Sequence, residues 1–399
     1  MLLSGSIFYL QNSKDTFVIV AIQRLTIKDF LQQSKDQVLL DVRSPGEYNH
    51  AHIPSATSFP LFTVEERKIV GTTYKQKSRE DAIKIGLDFF GPKMRKMVEE
   101  AEAISNSRFR SLNDGQPETR NSKPEIFVYC WRGGMRSAAI AWLLDLYGFK
   151  VYTLAGGYKT FRNYVLQTFE QPFQFKILGG YTGSGKTEVL NEMERQGETI
   201  IDLEKIASHK GSAFGSFKMP PQPKQEMFEN LLATELQKKS MMNGQRSIAS
   251  SSSLDVHSPF TTHHSPIWLE DESQRIGDLN LPNALWNTMR SSPIIFLEIP
   301  FEERLNHIVE EYGECEKEKL TDATKRISQR LGGLDAKNTI GFLEQGEMKE
   351  AFRILLRYYD KHYLKGLHNR ENVSSLLSKI DCETVTSKNA LLLTKHQPV

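Results

Sequence analysis

Residues 179–187 have the composition of a phosphate-binding loop. They contain the pattern G-x-x-x-x-G-K-T, which starts at Gly180 and ends at Thr187. An apolar run precedes the pattern and helical spacing follows it, which is the strand–loop–helix context that such a loop needs. Glycines let backbone N–H groups converge on a phosphate, and the helix N-terminus adds positive potential. We predict phosphate or diphosphate contacts from Gly180, Gly183, Ser184, Gly185, Lys186 and Thr187, with Thr187 also holding Mg²⁺.

A second reactive pattern surrounds Cys130, which follows one predicted strand and precedes a predicted helix. Gly133 and Gly134 allow the loop to curl so that its N–H groups face the sulfur or an anion on it. The helix N-terminus should lower the pKa of the thiol, and Arg132 and Arg136 add positive charge. The pattern predicts a thiolate nucleophile, with Cys130, Arg132 and Arg136 as catalytic residues. The spacing of cysteine, five residues and arginine is also that of a phosphatase loop.

Polar side chains follow two further predicted strands in the second half of the chain. Asp202 and Glu204 end one strand, and Glu270 and Asp271 end another, where phosphate-loop proteins place the acid that orients Mg²⁺. His209 and Ser212 lie in a glycine-containing loop between these strands. Because ligands bind at the carboxyl ends of strands in open α/β sheets, all six residues are candidates for ligand contact or for orienting Mg²⁺.

Composition restricts the class of protein without selecting a function. The chain has 399 residues, a net charge of +2, 39% hydrophobic residues and 25% charged residues, as in ordinary globular proteins. Three cysteines without paired spacing predict neither a disulfide framework nor a zinc site, and favour a reducing, cytoplasmic setting. No apolar run has the length of a membrane span. Residues 17–22 predict a strand, since no basic segment or cleavage site flanks them.

Strands alternate with helices along both halves of the chain, which predicts two successive α/β domains. We expect an N-terminal extension over residues 1–24, a first domain over 25–170 and a second over 171–335, followed by a helical region over 336–399. Two polar stretches, residues 105–124 and 243–265, predict flexible insertions.

Six motifs together resemble one family. In the first half these are D-V-R-S-P-G-E-Y at 41–48, Y-C-W-R-G-G-M-R-S at 129–137 and L-A-G-G-Y-K at 154–159. In the second half they are the phosphate loop, H-K-G-S-A-F-G at 209–215 and W-L-E-D-E-S at 268–273. The first three resemble rhodanese-type domains, and the whole set resembles the tRNA 2-selenouridine synthases. The resemblance implies a rhodanese-like α/β domain followed by a P-loop α/β domain with a helical C-terminal segment.

This resemblance also implies an activity. Such an enzyme would convert 2-thiouridine at the wobble position of tRNA to 2-selenouridine, with selenium from selenophosphate. The reaction would pass through an S-geranyl intermediate made from geranyl diphosphate. The implied partners are tRNA and a supply of selenophosphate, without a membrane or a tightly bound cofactor. We assign the diphosphate to the Lys186 loop and the selenium step to Cys130 as a working hypothesis.

Other functions are compatible with parts of the sequence. The main alternative is a sulfurtransferase that carries persulfide on Cys130 and uses ATP in its P-loop domain. A phosphate-loop switch with an inactive first domain is a non-enzymatic possibility, although an intact cysteine between two arginines argues against it. The phosphate loop alone would also permit a small kinase.

Overall fold

The computed structural model describes residues 22–112, 125–250 and 266–395. The chain forms two compact units, Met1–Phe161 and Arg162–Val399. Residues 17–21 of the strand predicted at 17–22 lie outside the described residues, and residue 22 is not part of a strand. Within those residues, no helix is both long and apolar enough to cross a membrane.

A parallel five-stranded sheet forms the centre of the first unit, with strand order β1-β5-β4-β2-β3. The strands are β1 (Gln23–Leu25), β2 (Val38–Asp41), β3 (Thr57–Ser58), β4 (Glu125–Tyr129) and β5 (Lys150–Leu154). The helices are α1 (Ile27–Gln33), α2 (Pro45–His50), α3 (Val64–Gln76), α4 (Arg79–Phe90), α5 (Met94–Leu112), α6 (Met135–Tyr147) and α7 (Gly157–Thr168). β4 is fully buried beyond its first residue, as expected for a parallel strand covered on both faces.

Local sequence explains where two of these helices begin and end. Thr26 accepts a hydrogen bond from the Asp29 N–H and caps α1, as its position predicts. Gly148 ends α6 in the left-handed region with φ of 101°, a conformation that glycine adopts without strain. α6 starts directly after the cysteine loop, so its first turn is held close to Cys130.

The structure corrects both predicted insertions. α5 continues to Leu112, because Met97 and Ala101 pack in the core of the unit and Ser105 is buried one turn later. In the second unit, α10 continues to Ser250. A helix that has already formed on a buried apolar stripe can extend into polar sequence at little cost in free energy. The insertion prediction was therefore wrong for residues 105–112 and 243–250, and residues 113–124 and 251–265 lie outside the described part of the chain.

The second unit is built on another parallel five-stranded sheet, in the order β12-β11-β6-β8-β7, with a separate hairpin. Its strands are β6 (Phe175–Gly180), β7 (Ile200–Ile201), β8 (Ile267–Glu270), β9 (Arg275–Ile276), β10 (Leu279–Asn280), β11 (Ile294–Glu298) and β12 (Leu377–Asp381). The phosphate loop follows β6, the central strand. The two sheets confirm the predicted mixed α/β fold class.

Ten helices accompany this second sheet in the described residues. They are α8 (Lys186–Arg195), α9 (Leu203–Ala207), α10 (Gln225–Ser250), α11 (Asn283–Arg290), α12 (Phe301–Tyr312), α13 (Lys317–Leu331), α14 (Gly333–Gln345), α15 (Met348–His368), α16 (Val373–Leu376) and α17 (Ala390–Lys395). Residues of α12, α13, α14 and α15 share one apolar core, while α8 and α17 share another with the sheet.

The C-terminal region is not wholly helical, which corrects the expectation for residues 336–399. β12 pairs in parallel with β11 along its whole length, at the edge of the sheet. Only Ile380 of β12 is fully buried, so the strand lacks the apolar run that would reveal it in sequence. Ile380, Cys382 and Leu393 belong to the same core as Leu178 of β6. The C-terminal segment is therefore an integral part of the second unit.

Candidate functional site

The first chemical centre is the loop between β4 and α6. Cys130 is the first residue after β4 and is 3% exposed. Its Sγ lies 3.2 Å from the Ser137 hydroxyl and accepts a hydrogen bond of 3.3 Å from the Gly134 N–H. The loop therefore curls around the sulfur and supplies donors that would stabilise negative charge on it.

The segment that follows β5 holds the cysteine loop through backbone hydrogen bonds. The Tyr158 N–H donates to the Cys130 carbonyl at 2.9 Å, and the Lys159 N–H donates to the Trp131 carbonyl at 3.0 Å. Gly157 has φ of 63°, and a Cβ there would lie 2.3 Å from the Cys130 carbonyl oxygen. Only glycine allows so close an approach, so Gly157 lets the segment after β5 pack directly against the backbone of the cysteine loop.

The two arginines of the cysteine loop differ in their surroundings. Arg132 is exposed. Arg136 donates to the Glu47 carboxylate of α2 at 2.8 Å, and both side chains are about one-fifth exposed. Burial raises the pKa of Glu47, but hydrogen bonds from Arg136 and Ser44 outweigh it and lower that pKa to about 2. Arg136 therefore ties the start of α6 to α2, and Arg132 is the arginine left open to a ligand.

A buried polar cluster positions the end of β4. Arg43 is 1% exposed and donates to Asp41 at 2.6–3.0 Å and to the Ala51 carbonyl at 2.7 Å. Its guanidinium lies 3.8 Å from the ring centroid of Tyr158. The Tyr129 hydroxyl donates to Asp41 at 2.8 Å. The D-V-R motif thus anchors Tyr129, directly before Cys130, and packs against Tyr158, and its Asp41 and Arg43 side chains are buried.

The second chemical centre is the phosphate loop between β6 and α8. Gly183 and Gly185 have φ of 79° and 65°, so the backbone turns through conformations that favour glycine. The Lys186 ammonium donates to the Gly180 carbonyl at 3.1 Å across the loop, and Ser184 donates to the Tyr181 carbonyl at 2.7 Å. Both hydrogen bonds lie within the loop, and the Lys186 side chain reaches back across it to Gly180.

A group of three glutamates lies beside this loop. Ligand oxygens of Glu204, Glu270 and Glu272 all lie within 4.8 Å of one another. Burial and mutual repulsion raise their pKa values to about 9, 8 and 7 respectively, although Lys186 opposes the shift. The Thr187 hydroxyl hydrogen-bonds to Glu270, whose Oε1 is buried and has no hydrogen-bond partner within the described part of the chain. Such a group suits a positive ligand.

The structure separates the acids that the sequence grouped together. Glu270 belongs to the glutamate group, whereas Asp271 pairs with the buried Arg370 and accepts a 2.6 Å hydrogen bond from Tyr363. Asp202 caps α9 by accepting from the Lys205 N–H at 2.8 Å. The sequence predicted Glu204 and Glu270 of the glutamate group but not Glu272. Spacing could have revealed Glu272, since residues two apart on an extended segment share a face with Glu270.

Residues of the loop after α9 also differ in whether they belong to the site. Ser212 and Lys210 line a cavity that opens at the phosphate loop, and Lys210 pairs with Glu311 of α12. His209 does not line this cavity. Burial lowers the pKa of His209, and its ring packs close to Gly215 and Gly277. Its position fits a packing role better than ligand contact.

The cavity has a volume of about 840 Å³ and a chemically mixed lining. The phosphate loop, the three glutamates and Lys210 contribute polar groups. Apolar and aromatic side chains line it as well: Phe214, Ile308, Tyr312, Phe352, Leu355 and Leu356. This arrangement suits a ligand that carries phosphate on an apolar body.

Two family models each match a different part of the chain. The model of the tRNA 2-selenouridine synthase AAA domain matches residues 173–388, and the rhodanese-like domain model matches residues 26–164. A tRNA 2-selenouridine synthase of Cupriavidus pinatubonensis is 32% identical over 82% of this chain and 87% of its own. Its counterpart from Hydrogenovibrio crunogenus is 35% identical over 75% and 77%. That of Nitrosomonas europaea is 32% identical over 84% and 90%. The chain belongs to the tRNA 2-selenouridine synthase family.

Proposed function

We propose that this protein converts 2-thiouridine at the tRNA wobble position to 2-selenouridine. Selenium would come from selenophosphate, through an S-geranyl intermediate made from geranyl diphosphate. The observation that carries the geranyl step is the cavity of the second unit, where a phosphate loop and an apolar lining share one space. The names of the relatives support tRNA as the substrate, and a cytoplasmic reaction is part of this proposal.

In the first step, the sulfur of 2-thiouridine would attack the first carbon of the geranyl chain, and the bond from that carbon to the diphosphate oxygen would break. The loop N–H groups and Lys186 would bear the charge of the departing diphosphate. The side chains of α12 and α15 would hold the chain by burial of its apolar surface.

The residues beside the loop fit Mg²⁺. The Glu270 oxygen without a partner and the adjacent Thr187 hydroxyl are hard oxygen ligands of the kind Mg²⁺ takes. A bound ion would supply additional neutralisation of the diphosphate charge. Lys186 and the loop N–H groups would contact the same diphosphate.

We assign the selenium step to Cys130. The selenium of selenophosphate would bond to the base as the carbon–sulfur bond breaks and geranylthiolate leaves, and water would then cleave the selenium–phosphorus bond and release phosphate. The Gly134 N–H and the Ser137 hydroxyl at the Cys130 sulfur, with the exposed Arg132 nearby in sequence, would favour an anionic nucleophile or carrier. The two chemical centres then have separate tasks.

Mass spectrometry of wobble-uridine nucleosides from cells lacking this protein tests the proposal. We expect both 2-selenouridine and the S-geranyl nucleoside to disappear and to return with the intact gene. Unchanged levels of both would contradict it. In purified material, dependence on thiosulfate and ATP in place of selenophosphate and geranyl diphosphate would favour the sulfurtransferase alternative.

A further inference from the structure

The three glutamates at the phosphate loop have more carboxylates than a usual Mg²⁺-phosphate site needs. Mg²⁺ in such sites is commonly held by one or two carboxylates, with substrate phosphates and water completing its shell. Here Glu204 reaches the cavity from α9, while Glu270 and Glu272 reach it from the end of β8. Three oxygen ligands therefore converge before any diphosphate is present.

The geometry is close to that of a bound ion. Oxygens on opposite sides of an ion at about 2.1 Å lie about 4.2 Å apart. The three glutamate oxygens already lie within 4.8 Å of one another, so small side-chain movements would bring them to ligand distance. Glu204 and Glu272 are partly exposed to the cavity, which leaves a route for the ion to enter.

The three carboxyl groups outnumber the cations that act on them among the described residues. Lys186 acts on all three while its ammonium donates to the Gly180 carbonyl, and Lys210 acts on Glu204 but pairs with Glu311. Glu270 is 1% exposed, and its Oε1 has no hydrogen-bond partner among the described residues. A buried carboxylate oxygen without a partner is costly, and a cation would remove that cost.

We propose that Glu204, Glu270 and Glu272 form a resident divalent-cation site that is loaded before the diphosphate binds. This deepens the proposed function, because the cation would be in place to meet the incoming diphosphate. Asp271, which engages Arg370 and Tyr363, is not a ligand of this site.

Binding of Mn²⁺ to the purified full-length protein, followed by electron paramagnetic resonance without tRNA or any diphosphate, tests the site. We expect stoichiometric binding to the unaltered protein. Loss of even an outer-shell partner costs about 10–100-fold in metal affinity, so Glu272→Gln and Glu270→Gln should each weaken binding at least about tenfold. Glu311→Gln is the matched control, since Glu311 lines the same cavity but pairs with Lys210; its Mn²⁺ affinity should not change.

A stability measurement separates ligand loss from misfolding. Mn²⁺ should raise the melting temperature of the unaltered protein and of Glu311→Gln, because a ligand that binds only the folded state stabilises it. The increase should vanish in Glu272→Gln, while its metal-free melting temperature does not fall.

Two results would overturn the proposal. One is Mn²⁺ binding that needs added pyrophosphate, and the other is equal Mn²⁺ affinity in all variants. Because geranyl diphosphate and tRNA are absent, a failure of geranyl transfer with intact Mn²⁺ binding would count against the proposed function and leave the cation site standing.

Discussion

The ion pair between Glu47 and Arg136 gives the sharpest test of how the first unit holds its cysteine loop. Replacing Glu47 with Gln removes the charge but keeps an oxygen that can still accept the Ser44 N–H bond at the start of α2. Arg136 would lose its anionic partner and no longer tie α6 to α2. We expect lower stability of the unit and easier access to the Cys130 thiol.

The size of the effect follows from the Glu47 carboxyl group. Its pKa is about 2, against an ordinary value of 4.5, and each pKa unit corresponds to about 1.4 kcal/mol. The full shift sets an upper limit of roughly 3 kcal/mol, and partial exposure reduces the expected loss to about 2 kcal/mol. For a domain of this size, that is about 4–8 °C in melting temperature. Because the folded pKa is depressed, the stabilisation is present above pH 4.5 and is lost as the pH falls through about 2.

Thermal unfolding at pH 7 and alkylation of Cys130, located by peptide mass mapping, would measure both effects. Glu66→Gln is a matched control. Glu66 caps α3 through Thr63 and pairs with Lys93, and its side chain is 17% exposed like that of Glu47. The control should lose stability without faster alkylation of Cys130. A Glu47→Gln protein with unaltered melting temperature and alkylation rate would refute the reasoning.

Three further changes test the second unit. Lys186→Ala removes a charge-assisted donor worth about 1.5–3 kcal/mol, so calorimetric titration should show geranyl diphosphate binding at least about tenfold more weakly; unchanged affinity would contradict this. Glu270→Gln removes an acid whose pKa burial raises to about 8. Its contribution to stability is present below pH 4.5 and is lost as the pH rises through 8, so in a chelator the variant should be more stable than the unaltered protein at pH 8.5, by at most roughly 5 kcal/mol, and about equal to it at pH 4.5; urea unfolding that shows no gain at pH 8.5 would contradict this. Asp271→Asn leaves Arg370 buried without its anion, so urea unfolding should show a loss of about 3–5 kcal/mol, and a loss below about 1 kcal/mol would refute that role.

Sequence reasoning located the parts whose chemistry depends on adjacent residues. The phosphate loop and the cysteine loop are local patterns, since glycines, a reactive side chain and a following helix lie within about ten residues. The Thr26 cap was predictable for the same reason. Loop and helix geometry at both centres follows from neighbouring residues in the chain.

Contacts between distant residues were not predictable in this way. Glu204 joins Glu270 only because β7 and β8 are neighbours in the sheet, and Arg370 reaches Asp271 across 99 positions. Similarly, β12 is an edge strand with a single fully buried residue, so its sequence carries little apolar periodicity. The assignment of Asp271 and Asp202 to the ligand rested on their place at strand ends. That position does not reveal that Asp202 accepts from the Lys205 backbone N–H and Asp271 from the Tyr363 hydroxyl.

The division of tasks between the two units is the central claim, and one reconstitution tests it most directly. Purified Cys130→Ser protein is incubated with tRNA bearing 2-thiouridine, geranyl diphosphate and selenophosphate, and the nucleosides are measured by mass spectrometry. We predict that the S-geranyl nucleoside accumulates at the rate of the unaltered protein while 2-selenouridine is absent. Loss of both products together, or retention of both, would contradict the claim.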